Sequence, residues 1–242
     1  MSGHSKWSQI KRQKGALDVK KGKTFTKISN AITIAVKQGG GITDPDQNFR
    51  LRLLIDAAKM ANMPKENIER AIKRAITKDA GDIEEVIYEG FAPGGKIALI
   101  IEAVTDNPQR TSATIKSIFN KSGANFGQPG SVMYQFRQIG QIIAGKKDAH
   151  FDKIFEEAVD LGAEDVEDVG DEVFIYTNVA NIKEVKDGLA EKGIEILDSE
   201  ITKIPVASVS LNDDLQLKTK VEKFIGSLEE LDDVQKVYSN LA

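Results

Sequence analysis

Cysteine is absent from the 242 residues. That excludes disulfides, a thiol nucleophile, Cys-ligated zinc and iron–sulfur clusters. Histidine is nearly absent as well. His4 and His150 are the only two, which leaves little imidazole for metal binding or acid–base work. Long apolar runs are missing too. The longest, such as Ile97 to Ile101, cover about five residues, where a membrane helix needs roughly twenty. No membrane span and no membrane partner are therefore expected. The start, Met1-Ser2-Gly3-His4-Ser5-Lys6, lacks the apolar stretch of a signal peptide, and no Arg/Ser-rich presequence precedes the first folded segment. A cytoplasmic location is the expectation. The remainder is ordinary for a soluble protein, 40% hydrophobic and 29% charged. It can build one large domain or two to three small ones.

Charge is distributed unevenly. Residues 1–78 hold 17 Lys+Arg against 6 Asp+Glu, a balance of +11. Residues 79–242 hold 16 against 31, a balance of −15, and the two give the net −4. A basic third joined to an acidic remainder suggests one end that faces a polyanion and one that keeps the chain in solution. Part of the positive charge fits ordinary helix pairing, Glu66 with Arg70 and Glu69 with Lys73. Residues 1–27 are different. Lys6, Lys11, Arg12, Lys14, Lys20, Lys21, Lys23 and Lys27 stand there against Asp18 alone, with Trp7 and Phe25 among them. A solvated basic tail is the bland reading. Eight cations with one acid repel each other without a polyanion, which favours a nucleic-acid contact surface.

Residues 1–22 are rich in Gly, Ser, Lys and Gln and read as an arm that orders on binding. From Thr24 a helical period appears, with Phe25, Ile28, Ile32, Ala35 and Val36 on one face. Gly39-Gly40-Gly41 ends that helix. Asp44-Pro45 predicts an N-cap and first position for a second helix, whose stripe is Leu51, Leu54, Ile55, Ala58 and Ala61. Pro64 opens a third, with Ile68, Ala71, Ile72, Ala75 and Ile76 inward. These stripes are core. After the linker 78–82 strands are predicted at Glu85–Glu89 and Lys96–Val104, joined by a Gly/Pro-rich hairpin loop. Asn107-Pro108 starts a helix that ends near Gly123. Next comes a strand at Val132–Phe136 or Gln141–Ile143, a helix Asp152–Leu161 and strands Asp165–Val169 and Glu172–Thr177. A helix Val179–Lys192 and a strand Ile194–Ile204 follow. This βαββαβ order predicts a ferredoxin-like domain. A strand Val206–Leu211, a helix Asp214–Leu228 and a strand Asp233–Tyr238 are too little for a fourth domain. They are expected to return to the unit of 82–130.

Enzyme signatures fail on inspection. Gly22-Lys23-Thr24 resembles the tail of a phosphate-binding loop, but the glycine that loop needs at position 17 is Leu17. The acidic run Glu164 to Glu172 breaks calcium-loop spacing at Val169. There is no Gly-x-Gly-x-x-Gly or Gly-x-Ser-x-Gly, and neither histidine lies near a Ser-plus-acid set. The cluster Thr105-Asp106-Asn107-Pro108-Gln109-Arg110 is explained mainly as a helix cap. Gly127-Gln128-Pro129-Gly130 reads as a turn, with a ligand-approach loop as the sharper alternative. No catalytic residue, metal or cofactor is expected.

Several stretches carry a more specific signal. They are Ser2-Gly3-His4-Ser5-Lys6-Trp7, Gly22-Lys23-Thr24-Phe25-Thr26-Lys27, Arg50-Leu51-Arg52 and Ala61-Asn62-Met63-Pro64-Lys65-Glu66-Asn67-Ile68-Glu69-Arg70-Ala71-Ile72. Tyr88-Glu89-Gly90-Phe91-Ala92-Pro93-Gly94-Gly95, Thr105-Asp106-Asn107, Arg110-Thr111 and Gly127-Gln128-Pro129-Gly130-Ser131-Val132 complete the set. In this order and spacing the chain resembles the YebC/PmpR family, whose mitochondrial relative is the translational activator of cytochrome c oxidase subunit I. Asn48-Phe49-Arg50 stands where members usually have Asn-Pro-Arg, and Gly15-Ala16 where many have Ala-Ala. The resemblance implies an α+β protein of three domains: a helical N-terminal one, a discontinuous α+β middle one and a ferredoxin-like third. It also implies a cytoplasmic, DNA-binding transcriptional regulator and, for some members, help to ribosomes at difficult sequences such as proline runs. It offers no catalytic residues.

Together these readings place a basic arm and helical domain at 1–78. A discontinuous α+β domain takes 79–131 and 205–242, and a ferredoxin-like domain takes 132–204. The expected function is non-enzymatic regulation through nucleic acid, with DNA and ribosomal RNA (the ribosome) as rival partners. The acidic domains are a further candidate surface for a protein partner. The expected nucleic-acid contacts are Lys6, Trp7, Lys11, Arg12, Lys14, Lys20, Lys21, Lys23, Lys27, Arg50 and Arg52.

Overall fold

Three amphipathic helices come first in the computed structural model, which describes residues 19–77, 83–146 and 150–242. Helices α1 (Val19–Gln38), α2 (Phe49–Met60) and α3 (Lys65–Ile76) turn their apolar stripes toward one another. Ile32, Ala35, Val36, Leu51, Ala58, Ile68 and Ala71 form the shared core, with Phe25, Ile28, Leu54 and Ile55 packed beside it. Gly40 and Gly41 take φ of 71° and 84° and stop α1, a backbone region that costs side-chain-bearing residues dearly. Ile76 departs from the expected stripe, for it is 59% exposed at the end of α3.

The start of α2 differs from the sequence expectation. Its cap is Asn48, whose Oδ1 accepts from the Leu51 N–H at 3.1 Å. The same side chain donates to the carbonyls of Ala35 at 3.0 Å and Ile42 at 3.2 Å. Asp44 instead closes a turn, its carboxylate accepting from the Asp46 N–H at 2.9 Å. Asn48 wins because one buried amide serves the end of α1 and the start of α2 together.

The second layer is a sheet of order β3-β1-β2-β8. Strands β1 (Glu84–Phe91) and β2 (Ala98–Thr105) form a hairpin, registered from Glu84 opposite Thr105 to Phe91 opposite Ala98. Helix α4 (Pro108–Ser122) follows, capped by Asn107 and stopped by Gly123 at φ 67°. The short β3 (Asn125–Phe126) then pairs with β1. Two elements arrive from the far end of the sequence: α7 (Leu215–Glu229) and β8 (Val234–Ser239), the latter pairing with β2. Phe119 of α4 meets Phe224 of α7 edge-on, ring centres 5.0 Å apart. Helix α1 reaches this layer through Ile34, which packs with Ile83 and Val104. The strand expected at Val206–Leu211 does not form. Val209 makes only an isolated bridge to Leu241.

Residues Arg137–Ile204 form a separate compact unit. Its elements are β4 (Phe136–Gly145), α5 (Phe151–Asp160), β5 (Asp165–Val169), β6 (Glu172–Thr177), α6 (Ile182–Glu191) and β7 (Ile196–Pro205). The sheet order β5-β6-β4-β7 is the ferredoxin-like arrangement that the βαββαβ order predicts. Gly140 is small for a reason: a Cβ there would lie 2.8 Å from Cβ of Ile182 on α6. The middle domain is thus discontinuous, and the chain is α+β throughout.

Candidate nucleic-acid interface

Of the eleven expected contact residues, Lys6, Trp7, Lys11, Arg12 and Lys14 lie outside the described residues. The backbone of Lys20 and Lys21 lies in the first turn of α1. The other four are placed and all have partners within the protein. Lys23 donates to the Glu230 carbonyl at 3.0 Å and stands 3.9 Å from the Asp232 carboxylate. Lys27 donates to the Glu229 carbonyl at 2.7 Å. Both ammonium groups therefore sit at the C-terminal end of α7, where unpaired carbonyls and the helix dipole favour positive charge. Arg50 pairs with Glu85 at 2.9 Å and also donates to the Gln38 side chain. Arg52 pairs with Asp46 and donates to the Pro45 carbonyl at 3.2 Å.

Two cations that the sequence assigned to helix pairing stand open instead. Glu69 pairs with Lys65 at 3.5 Å rather than with Lys73. Arg70 and Lys73 lie one turn apart on the exposed side of α3. Among the described residues neither has an acid within ion-pair range. Their sequence signal was the excess of Lys and Arg over Glu in 65–74, which the i, i+4 spacing disguised.

The loop Gly127-Gln128-Pro129-Gly130 is settled by one side chain. The Glu89 carboxylate accepts from the N–H groups of Gly130 at 2.6 Å, Val132 at 2.7 Å and Met133 at 2.9 Å. Burial alone would push this carboxyl up, but the three N–H donors outweigh it and hold it below the ordinary value. The donors that could have cradled a phosphate thus already hold a protein anion. Gly127 lies against Ser131 and the Glu89 carbonyl, leaving no room for a Cβ.

The polar cluster at 105–111 is likewise consumed by structure. Asn107 caps α4 by accepting from the Arg110 N–H at 3.0 Å. The Thr111 hydroxyl donates to Asp233 at 2.6 Å, and Arg110 bridges Asp106 at 2.9 Å and Asp233 at 3.4 Å. Those hydrogen bonds raise the Arg110 pKa further above its ordinary value. Tyr88 donates to the Pro108 carbonyl at 3.2 Å, and burial pushes its phenol up. Among the described residues of this cluster the hydroxyls and carboxylates are engaged in these structural bonds. Among the described residues no group of three or more acidic or imidazole side chains is placed to hold a metal ion. Among them, too, no helix is long and apolar enough to cross a membrane.

Comparison with known proteins adds a family. Residues 5–78 match the family model described as "TACO1/YebC protein N-terminal domain". Residues 83–241 match "TACO1/YebC second and third domain". A "Probable transcriptional regulatory protein" of Persephonella marina is 46% identical over 242 residues, spanning 99% of this chain and 95% of that one. One of the same name from Dictyoglomus thermophilum is 48% identical with the same coverage. A crystal structure of a conserved hypothetical protein from Aquifex aeolicus superposes with a TM-score of 0.84 at 41% identity, covering 93% of this chain and 91% of that one.

Proposed function

The chain belongs to the TACO1/YebC family, and from that premise we propose that it is a non-enzymatic, DNA-binding transcriptional regulator. Its grip is directed at phosphates rather than at base edges. The observation that carries this reading is the charge division, +11 over residues 1–78 against −15 over the remainder. A polyanion is drawn to the first and repelled by the second. The names of the relatives point to transcription. Lys6, Trp7, Lys11, Arg12, Lys14, Lys20 and Lys21 carry the contact, and Arg70 and Lys73 extend it. Lys23, Lys27 and Arg50 hold the helical domain against its neighbours, Arg52 ties α2 to the loop before it, and all four take a secondary part.

A second reading, binding of ribosomal RNA in translation control, is favoured by one feature of α3. Glu66 and Glu69 share its exposed side with Arg70 and Lys73. A helix seated in the major groove runs between two phosphate backbones, where such acids are repelled. Edge-on contact with phosphates suits a folded RNA as well as a duplex. Sucrose-gradient sedimentation of the full-length protein at physiological salt separates the two. Tight binding to duplex DNA with absence from ribosomal fractions supports transcription. Co-sedimentation with ribosomes that duplex DNA does not compete away supports translation. In either case, the combined changes Lys11→Glu, Arg12→Glu and Lys14→Glu should abolish the association. If they leave it intact, the arm has no part in it.

A further inference from the structure

Helix α5 lies on β5, β6 and α6 within the ferredoxin-like unit. With about 100° between successive residues, Ile154 and Ala158 mark its buried side. One flank turns to α6. Glu157 pairs there with Lys192 at 3.1 Å, and Leu161 closes over Gly188, where a Cβ would lie 2.6 Å from it. The other flank is apolar and open. Phe151, Phe155 and Val159 recur there at every fourth position, and Phe155 and Val159 are 43% and 47% exposed. The rings of Phe151 and Phe155 lie 5.9 Å apart, so the stripe is continuous. Among the described residues no other helix exposes two large apolar side chains one turn apart. A second stripe runs beside the first on its solvent side. It consists of Asp152, Glu156 and Asp160, each next in sequence to one of the apolar residues and each exposed. Glu157 and Asp168 nearby are paired, with Lys192 and Lys146. The three carboxylates of the stripe have no cation within ion-pair range among the described residues. Lys153, the single cation of α5, lies on the far side from the apolar stripe.

We propose that this flank of α5 is a docking site for a Lys/Arg-rich amphipathic helix of a protein partner. The reading stands independently of the proposed function. The two parallel stripes set the chemistry of the occupant. The apolar stripe takes the apolar face of a second helix, with Phe155 and Val159 as the main contacts. Phe151 contributes less, for the Lys146 ammonium stands 5.8 Å from its ring centre. The acidic stripe takes a row of cations along the edge of that face, which fixes the sign and the orientation of the partner. Competing occupants meet these carboxylates with the wrong charge. The phosphates of nucleic acid and of anionic lipid are repelled by Asp152, Glu156 and Asp160, and residues 164–172 add six acids and no base. A second copy brings the same acids with it, since a two-fold contact sets each patch against itself.

The test is fluorescence anisotropy of labelled peptides against the full-length protein at physiological salt. The probes are a Leu/Lys amphipathic peptide of about 18 residues, long enough to hold a helix, a Leu/Glu peptide of the same pattern, and a Ser/Lys peptide with the charge but no apolar face. The Leu/Lys helix should bind the wild-type chain, and the other two should bind at least about tenfold more weakly. Phe155→Ser with Val159→Ser should weaken the Leu/Lys helix by about tenfold while circular dichroism stays unchanged. Glu156→Lys with Asp160→Lys should weaken the Leu/Lys helix and strengthen the Leu/Glu helix. That gain cannot come from a misfolded chain, so it decides the matter even where the serine pair disturbs the fold. No binding of the Leu/Lys helix overturns the proposal. Equal binding of the Ser/Lys peptide overturns it in favour of diffuse attraction to the acidic domains. Binding that ignores both pairs of changes places the helix elsewhere and overturns it too. Self-association in sedimentation equilibrium that the serine pair abolishes overturns it in favour of a second copy.

Discussion

Glu89 stands in a central strand at 5% exposure, where an unanswered carboxylate would be strongly unfavourable. Three N–H donors from a loop some forty residues on answer it. Glu89→Gln replaces an all-acceptor group with one whose amide faces those donors. The expected loss is about 2–3 kcal/mol at pH 7, read by thermal or urea unfolding. The pH dependence has a definite sign. The folded carboxyl titrates below its unfolded value of about 4.3. Its contribution is therefore complete above that value and is lost as pH falls through the lower folded one. The wild-type advantage over Glu89→Gln should shrink on acidification, and a gap of constant size would contradict the assignment. A neighbouring residue gives a steric counterpart. A Cβ at Gly90 would lie 2.6 Å from both the Asn125 carbonyl oxygen and the Phe119 ring. Gly90→Ala should cost about 1–3 kcal/mol. Gly226 in α7 has open space around it, and Gly226→Ala should stabilise by about 0.5–1 kcal/mol. Equal effects of the two changes in unfolding experiments would show the packing at Gly90 to be looser than described.

At the scale of elements, the cap of α2 separates local pattern from tertiary fact. Asn48→Ala removes a buried cap together with the amide donor that reaches the carbonyls of Ala35 and Ile42. A loss of about 2–3 kcal/mol is expected. Asp44→Ala disturbs an exposed turn and should cost under about 1 kcal/mol. The reverse order in melting temperature would reinstate Asp44 as the cap. Asp44-Pro45 carries the better local signature, and only the approach of α1 makes Asn48 decisive. Strands β5 and β6 were legible to the residue because alternation and the Gly170-Asp171 turn act locally. Val206–Leu211 alternated equally well but pairs only at the single Val209–Leu241 bridge. The start of α1 at Val19 was hidden because Val19 to Lys23 offers no apolar stripe. The site was less legible than the fold. Lys23 and Lys27 read as open cations since their acceptors lie 207 and 202 residues away. The Glu89 clamp was invisible for the same reason: a glutamate in an alternating strand reads as solvent-facing until the loop that folds over it is known.

At the scale of the whole molecule, the division of charge governs the expected behaviour. A chain of net −4 should avoid nucleic acid if its charge were spread evenly. Under the proposed function its affinity should instead depend on the concentration of cations in residues 1–78, and residues 79–242 alone should bind neither DNA nor RNA. The most direct measurement is the equilibrium affinity of the full-length protein for a duplex and for a structured RNA across a salt series. With about five phosphates contacted, log K should fall against log salt with a slope near −4 for both polymers. The combined Lys11→Glu, Arg12→Glu and Lys14→Glu variant should flatten that slope by about two to three units. An affinity indifferent to salt, or one unchanged in slope by the triple reversal, would contradict a phosphate grip by the basic N-terminal third.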